Sequence, residues 1–386
     1  MSIFSKKYVF LFPPSKTRLE SLNDILNGVS RPERYLFYGL DLFKSCGLPL
    51  VHNLRSVSLG RLLTIVKLIH KKICSRLFVY YGEIEWIFPV FMSLYRSPLI
   101  FVFSERIMLA ICYWKLCYLL PNRPTVFMPM GLPEKLQVLR DKKPKMFRLV
   151  IKSLSKIERI ICVSRLEEET LNDEFGLSNT CFIRVGVDTD YFSPIYDNED
   201  VDVLSIGADN YRDFELLINS ARQLKKISYR IITTRFIADS FINIPENIEI
   251  LTDIPMLQIR SHISRARILA LPVIPNSYSG ATTVLLQAMA MEKTVIANQE
   301  GSNKTGYPFF DKQNLVYVKS CDLLEMNTAI KTLLDNDVLR KRIGDEARKI
   351  VLDQLGLENF HRNLFMILNE VHVNAWGTHI SGWSEK

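Results

Sequence analysis

Short apolar runs rich in β-branched and aromatic residues alternate along the chain with longer segments of helical period. Tyr8–Phe12, Leu77–Tyr81, Leu99–Phe103, Thr125–Met128 and Arg159–Val163 read as strands of the first half. Asp202–Ile206, Tyr229–Thr233, Asn247–Leu251, Ile268–Val273, Thr294–Ala297 and Leu315–Val318 read as strands of the second. The runs are near-continuous, not alternating, as in parallel strands covered on both faces. Strands that alternate with helices imply an α/β fold with two doubly wound, Rossmann-like sheets. Ser30-x-x-Glu33, with Pro32 in the first turn and Gly47 after the last, predicts one helix that buries Leu36, Leu40 and Phe43. Cys321–Asp335, Asp337–Leu355 and Glu358–Val373 have helical period. The turn-rich stretch Gly186–Val201 marks a boundary. The expected domains are 1–195, 196–355, and a C-terminal helix with a tail, 356–386, the helix packing back on the first domain.

Composition fits this picture. The 386 residues, 48% hydrophobic and 23% charged, suffice for two cores. The most apolar long stretch, Leu77–Leu94, carries Glu83 and Glu85, and each carboxylate costs about 2.5–3.5 kcal/mol at a bilayer centre, so no span is predicted. Met1–Phe12 ends in Pro13-Pro14 without a small-residue cleavage site and reads as a first strand, not a signal peptide. The seven cysteines form no C-x-x-C pair, which points to free thiols in a reducing, cytoplasmic setting. The six histidines have no ligand spacing, so no cofactor and no structural metal is expected.

Charge is uneven. Residues 1–198 hold 28 Lys and Arg against 18 Asp and Glu, whereas the remainder holds 21 against 23. Leu42–Gly82 has seven basic residues and no acidic one. Such a field attracts anionic lipid, nucleic acid or phosphorylated substrate. No recognition motif accompanies it, so nucleic acid is not an expected partner. Leu59–Lys72 sets Leu62, Val66 and Ile69 on one face and Thr64, Lys67 and Lys71 on the other. That pattern suits a helix lying on the inner, anionic membrane face, and equally a surface helix packed on the sheet.

The segment Leu269–Asn298 carries the most chemistry. It reads as strand, small-residue loop, buried helix and strand. Ser279, Gly280 and Ala281 allow a ligand close to the backbone, and Thr282 or Thr283 can cap the helix. The helix dipole and exposed amides there suit a diphosphate. Gln287, on a helix apolar nearly all round, needs a partner, because an unpaired buried amide costs about 1–3 kcal/mol. An ordinary strand–helix–strand unit with a satisfied Gln is the plainer alternative. Glu83, after the expected strand Leu77–Tyr81, is either an acceptor-side group or a helix-start acid.

This segment resembles the nucleotide-sugar segment of GT-B glycosyltransferases, above all the large retaining family four. The family pattern is Pro-Ser, then Glu-Gly-Phe-Gly, then Glu-Ala-Met-Ala-x-Gly-x-Pro-Val-Ile-Ala. Here Gly280, Gln287-Ala-Met-Ala and Thr294-Val-Ile-Ala297 match in register. Ile161-Cys-Val-Ser164 with Gly186–Pro194, Leu204–Asp213, and Gly306-Tyr307 with Asp311–Val316 follow the family's order. The resemblance covers about residues 155–355 well and implies two domains facing across a cleft. It implies a nucleotide-sugar donor substrate held by Gly207, Asp209, Arg212, Ser279, Gly280, Ala281, Thr282, Thr283 and Gln287. Arg212 stands where the family places a diphosphate-binding base; pairing with Asp213 or Glu215 is its plainer role. A glycan or lipid-linked acceptor, envelope polysaccharide or glycolipid synthesis, and retention of configuration are further implications.

One departure stands out. The family's two glutamates, for the donor sugar and the ribose, fall at Ser279 and Gln287. No catalytic residue is assigned. A branch using this variant, another mode of donor binding, or an inactive partner subunit all fit. The retained small residues and threonines favour the first.

Overall fold

The computed structural model describes residues 7–54, 60–77, 82–116, 118–277, 281–298 and 305–380. Contacts divide the chain into two compact units. One holds Met1–Val29, Leu36–Ile183 and His361–Lys386; the other holds Ser30–Tyr35 and Arg184–Phe360.

The first unit is built on β1 (Tyr8–Leu11), β2 (Leu50–His52), β3 (Ile100–Val102), β4 (Thr125–Phe127), β5 (Arg159–Cys162) and β6 (Thr180–Phe182), in the order β2-β1-β3-β4-β5-β6. The second is built on β7 (Val201–Ile206), β8 (Tyr229–Thr233), β9 (Ile248–Thr252), β10 (Ala266–Leu271), β11 (Thr294–Asn298) and β12 (Val316–Val318), in the order β12-β11-β10-β7-β8-β9. Every pairing is parallel. The expected α/β fold with two Rossmann-like sheets is what forms.

Burial on both faces explains the continuous apolar runs. On β1, Val9 and Leu11 enter one core with Ile100 and Val102 of β3. The alternate residues carry aromatic rings: Phe10 meets Phe101 edge-on at 5.5 Å, and just past the strand ends Phe12 stacks on Phe103 at 4.6 Å. Phe43 packs on Phe10, and Phe365 packs on Phe43. Buried Asn53 extends the ladder past the end of β1, its side chain both accepting from Phe12 N and donating to Phe12 O at 2.8 Å. In the second unit Val203, Ile268, Ala270, Ile296 and Val316 pack beneath helices Phe214–Gln223 and Leu323–Asp335.

Several expectations are corrected. No single helix follows Ser30. A 3-10 turn, Pro32–Phe37, and a short helix, Leu40–Ser45, are separated by Tyr38 and Gly39, whose φ values of 49° and 78° break the hydrogen-bond ladder. Leu77 ends the helix Gly60–Leu77 instead of opening a strand; 78–81 lie outside the described residues. On that helix Ile69 is not buried with Val66. Val66 is half-buried and His70 is buried against Glu85, while Ile65, Leu68 and Ile69 are solvent-exposed beside Lys71 and Lys72. Glu83 precedes the four-residue helix Ile84–Ile87 without capping it, and pairs with Arg106 at 3.8 Å. Among the described residues no helix is long and apolar enough to cross a membrane.

One buried acid ties the first unit's strand ends together. Ser164 caps the helix Arg165–Asp173, placing Glu167 wholly inside, where its carboxylate accepts from Val163 N at 3.1 Å and Leu132 N at 3.3 Å. Burial outweighs these amides and pushes its pKa up to about 7. The folded state therefore holds this proton where the unfolded chain, titrating near about 4.3, has released it. The stability contribution is full at low pH and is lost as pH rises through about 7. Between pH ~5 and ~8 the unfolding midpoint is expected to fall more in the wild type than in Glu167→Gln, measured by urea denaturation. Equal slopes would remove Glu167 as the titrating group.

Candidate functional site

In an open α/β sheet, ligands bind beyond the strand ends where the strand order reverses. In the second sheet that point lies between β7 and β10. The loops leaving these strands are zipped together. Arg212 and Val273 form an antiparallel bridge, Asp213 N donates to Pro272 O at 3.0 Å, and Ile274 N donates to Tyr211 O at 2.7 Å. Asp209 shapes the first loop, its carboxylate accepting from Tyr211 N at 2.7 Å while its carbonyl accepts from Arg212 N.

Arg212 is only 7% exposed. Its side chain fills the space over Gly207, where a Cβ would stand 2.3 Å from Nε. Asp213 caps the helix Phe214–Gln223 through Leu216 N at 3.1 Å, and Glu215 pairs with Arg222 at 3.5 Å. Next to this point a cavity of about 550 Å³ is lined by Asp209 and Arg212, by Phe236 and Asp239 from the loop after β8, and by Ile274. The volume is that of a small-molecule pocket.

The helix Thr282–Ala290 follows β10. Neither threonine caps it: Ala281 is the N-cap and supplies no side-chain bond, so Thr282 and Thr283 are the first helical residues. This corrects the expected cap, which lies one residue earlier at a side chain that cannot accept. The C-terminal end is held instead. Arg348 donates to Ala290 O, and Glu292 adopts φ 60°, the left-handed turn where the family pattern has Gly. Gln287 is 2% exposed, and its amide nitrogen has no partner among the described residues. Ser279 and Gly280 lie outside the described residues. Gly207, Asp209 and Arg212 are thus brought into contact, while Ala281, Thr282, Thr283 and Gln287 lie along the helix that leaves the same sheet edge.

Asn298, at the end of β11, is a site residue that sequence reasoning passed over. Its oxygen accepts from Val273 N at 2.6 Å, bracing the β10 loop, and its buried amide nitrogen has no partner among the described residues. The only signal was a polar residue ending an apolar run. Phe236 was missed likewise; it is 81% exposed at the cavity. No group of acidic, His or Cys residues able to hold a metal occurs among the described residues.

Because the Gly207 gap is filled by a guanidinium, Gly207→Ala is expected to displace Arg212 and to destabilise the protein by about 1–3 kcal/mol. A shifted urea midpoint is the readout. An unchanged midpoint would mean the side chain swings away at no cost.

No protein-family model matches the sequence, and no curated protein is significantly similar to it. Solved structures are. Anabaena Alr3699/HepE, in complex with UDP and glucose, superposes with TM-score 0.65 at 13% identity over 94% of this chain and 99% of that one. Sucrose-phosphate synthase (tll1590) from Thermosynechococcus elongatus gives TM-score 0.60 at 17% identity, covering 74% of this chain and 79% of that one. A glycosyltransferase from Rickettsia africae ESF-5 gives 0.57 at 14% identity, covering 95% and 99%. With its two parallel six-stranded sheets, the chain has the fold of the GT-B glycosyltransferases.

Proposed function

We propose that the protein is a glycosyltransferase that binds a nucleotide sugar at the β7–β10 edge of its second sheet. The observation that carries this reading is Arg212, buried over Gly207 at the switch point and lining a cavity of ligand size. A guanidinium there suits a diphosphate bidentately. The helix Thr282–Ala290 adds the positive end of a helix dipole at the same sheet edge. Together they stabilise the charge that develops on a departing nucleoside diphosphate. The amide nitrogens of Gln287 and Asn298 are buried donors for ribose or sugar hydroxyls. The HepE structure contains UDP and glucose, which makes uridine-linked sugars the first donors to try.

The acceptor in this reading is a glycan or a lipid-linked glycan of the cell envelope, a hexose is transferred, and configuration is retained. The first unit supports an anionic surface as its neighbour: Ile65, Leu68 and Ile69 are exposed beside Lys71 and Lys72. A second reading, an inactive partner subunit, rests on Ser279 and Gln287 standing where the family has acids.

A thermal-shift panel of nucleotide sugars with a hydrolysis readout separates the two. Stabilisation with turnover is expected. Stabilisation without turnover, even with membrane extract as acceptor source, would favour the subunit; no stabilisation by any donor would end both donor readings. Arg212→Ala is expected to weaken nucleoside diphosphate binding about ten- to a hundredfold, the worth of charge-assisted hydrogen bonds. Unchanged affinity by titration calorimetry would take Arg212 out of the site. Lys71→Glu with Lys72→Glu should reduce flotation with phosphatidylglycerol vesicles at low salt; salt-independent flotation would exclude this contact.

A further inference from the structure

A second cavity, also about 550 Å³, lies in the first unit at the edge where β4 begins. Met108, Cys112, Leu120 and Ile157 give it an apolar wall, and Lys115 and Lys156 are its cationic residues. Burial pushes the Cys112 thiol up to about 12, so the wall carries no charge at neutral pH. Lys115 is internally occupied, donating to Arg123 O and Thr125 Oγ1 at 2.8 Å. Lys156 is exposed.

The helix Pro144–Leu154 runs into this cavity; Ser153 lines it, and Lys156 follows just past the helix end. Its inner face buries Val150, Ser153 and Leu154. Its outer face is basic. From Lys142 to Lys156 the chain carries Lys142, Lys143, Lys145, Arg148, Lys152 and Lys156, all exposed, and no acidic residue. Lys145, Arg148 and Lys152 recur at helical spacing on one side, with Leu149, 40% exposed, among them. Lys152, one turn before Lys156 and next to the lining residue Ser153, is exposed and adds to the positive field beside the cavity.

We propose that this cavity and helix bind an anionic amphiphile, with the alkyl chain in the apolar cavity and the acidic head on Lys152 and Lys156. An apolar wall gives a small inorganic anion nothing to bury, and a dense cationic rim discriminates against an uncharged chain. The site lies at the strand-start edge of the first sheet and is separate from the donor site, which belongs to the second unit.

Titration calorimetry of the full chain with dodecyl phosphate, below its micelle point, tests this directly. Saturable binding is expected, with inorganic phosphate and dodecyl maltoside each at least about tenfold weaker. Lys152→Glu with Lys156→Glu should lower the affinity about tenfold or more while leaving the far-ultraviolet spectrum unchanged. Cys112→Trp, which fills the cavity, should abolish binding; should it fail to fold, the surface double variant still decides. Inorganic phosphate binding as tightly as dodecyl phosphate, or a double variant that binds unchanged, would overturn the proposal. Vesicles identify the source of the amphiphile. In a Lys71→Glu, Lys72→Glu background, flotation with phosphatidylglycerol that is lost on adding the double variant assigns a membrane lipid. Dodecyl phosphate binding without flotation assigns a free amphiphile to the same site.

Discussion

The backbone bridge between the loops leaving β7 and β10 is the constraint on which the second unit's site depends. Parallel strands diverge at their ends where the order reverses, and an unbraced crevice there would leave two polypeptide edges without partners. Arg212 and Val273 pair across it, and Asn298 fixes the same loop from the β11 side. The backbone at Arg212 is thereby pinned, and its buried side chain packs over Gly207.

The helix that leaves this edge has unequal ends. Its final carbonyls are satisfied by Arg348 and by the turn at Glu292, whereas its N-cap, Ala281, offers no side-chain bond. Gly344 lets the following long helix pass close beneath, since a Cβ there would lie 2.1 Å from Glu292 O.

Much of this was legible in the sequence because parallel strands buried on both faces leave continuous apolar runs, as in Val201–Ile206 and Ala266–Leu271. Strands β2 and β6 were not, since each sits at a sheet edge, where His52 or Thr180 leaves too short an apolar run to stand out. The break at Tyr38 and Gly39 was hidden for another reason: a capping signature marks where a helix can start, not whether later residues keep helical dihedrals. Motif order pointed to Gly207 and Arg212 as candidates. Asn298 could not, because its bond to Val273 requires knowing that β10 and β11 are neighbours in that register.

The first unit includes residues on both sides, in sequence, of nearly the whole second unit. Phe43 packs on Phe365, Tyr8 lies beside His372, and Trp376 donates to Pro98 O at 2.8 Å. During synthesis, which proceeds at about 5–20 residues per second, the earlier-made part of the first unit must wait for His361 onward, exposing apolar surface near Phe10 and Phe43 for many seconds. The second unit, nearly all of it contiguous from Arg184 to Phe360, can collapse as it emerges. The unit translated first is therefore the one completed last.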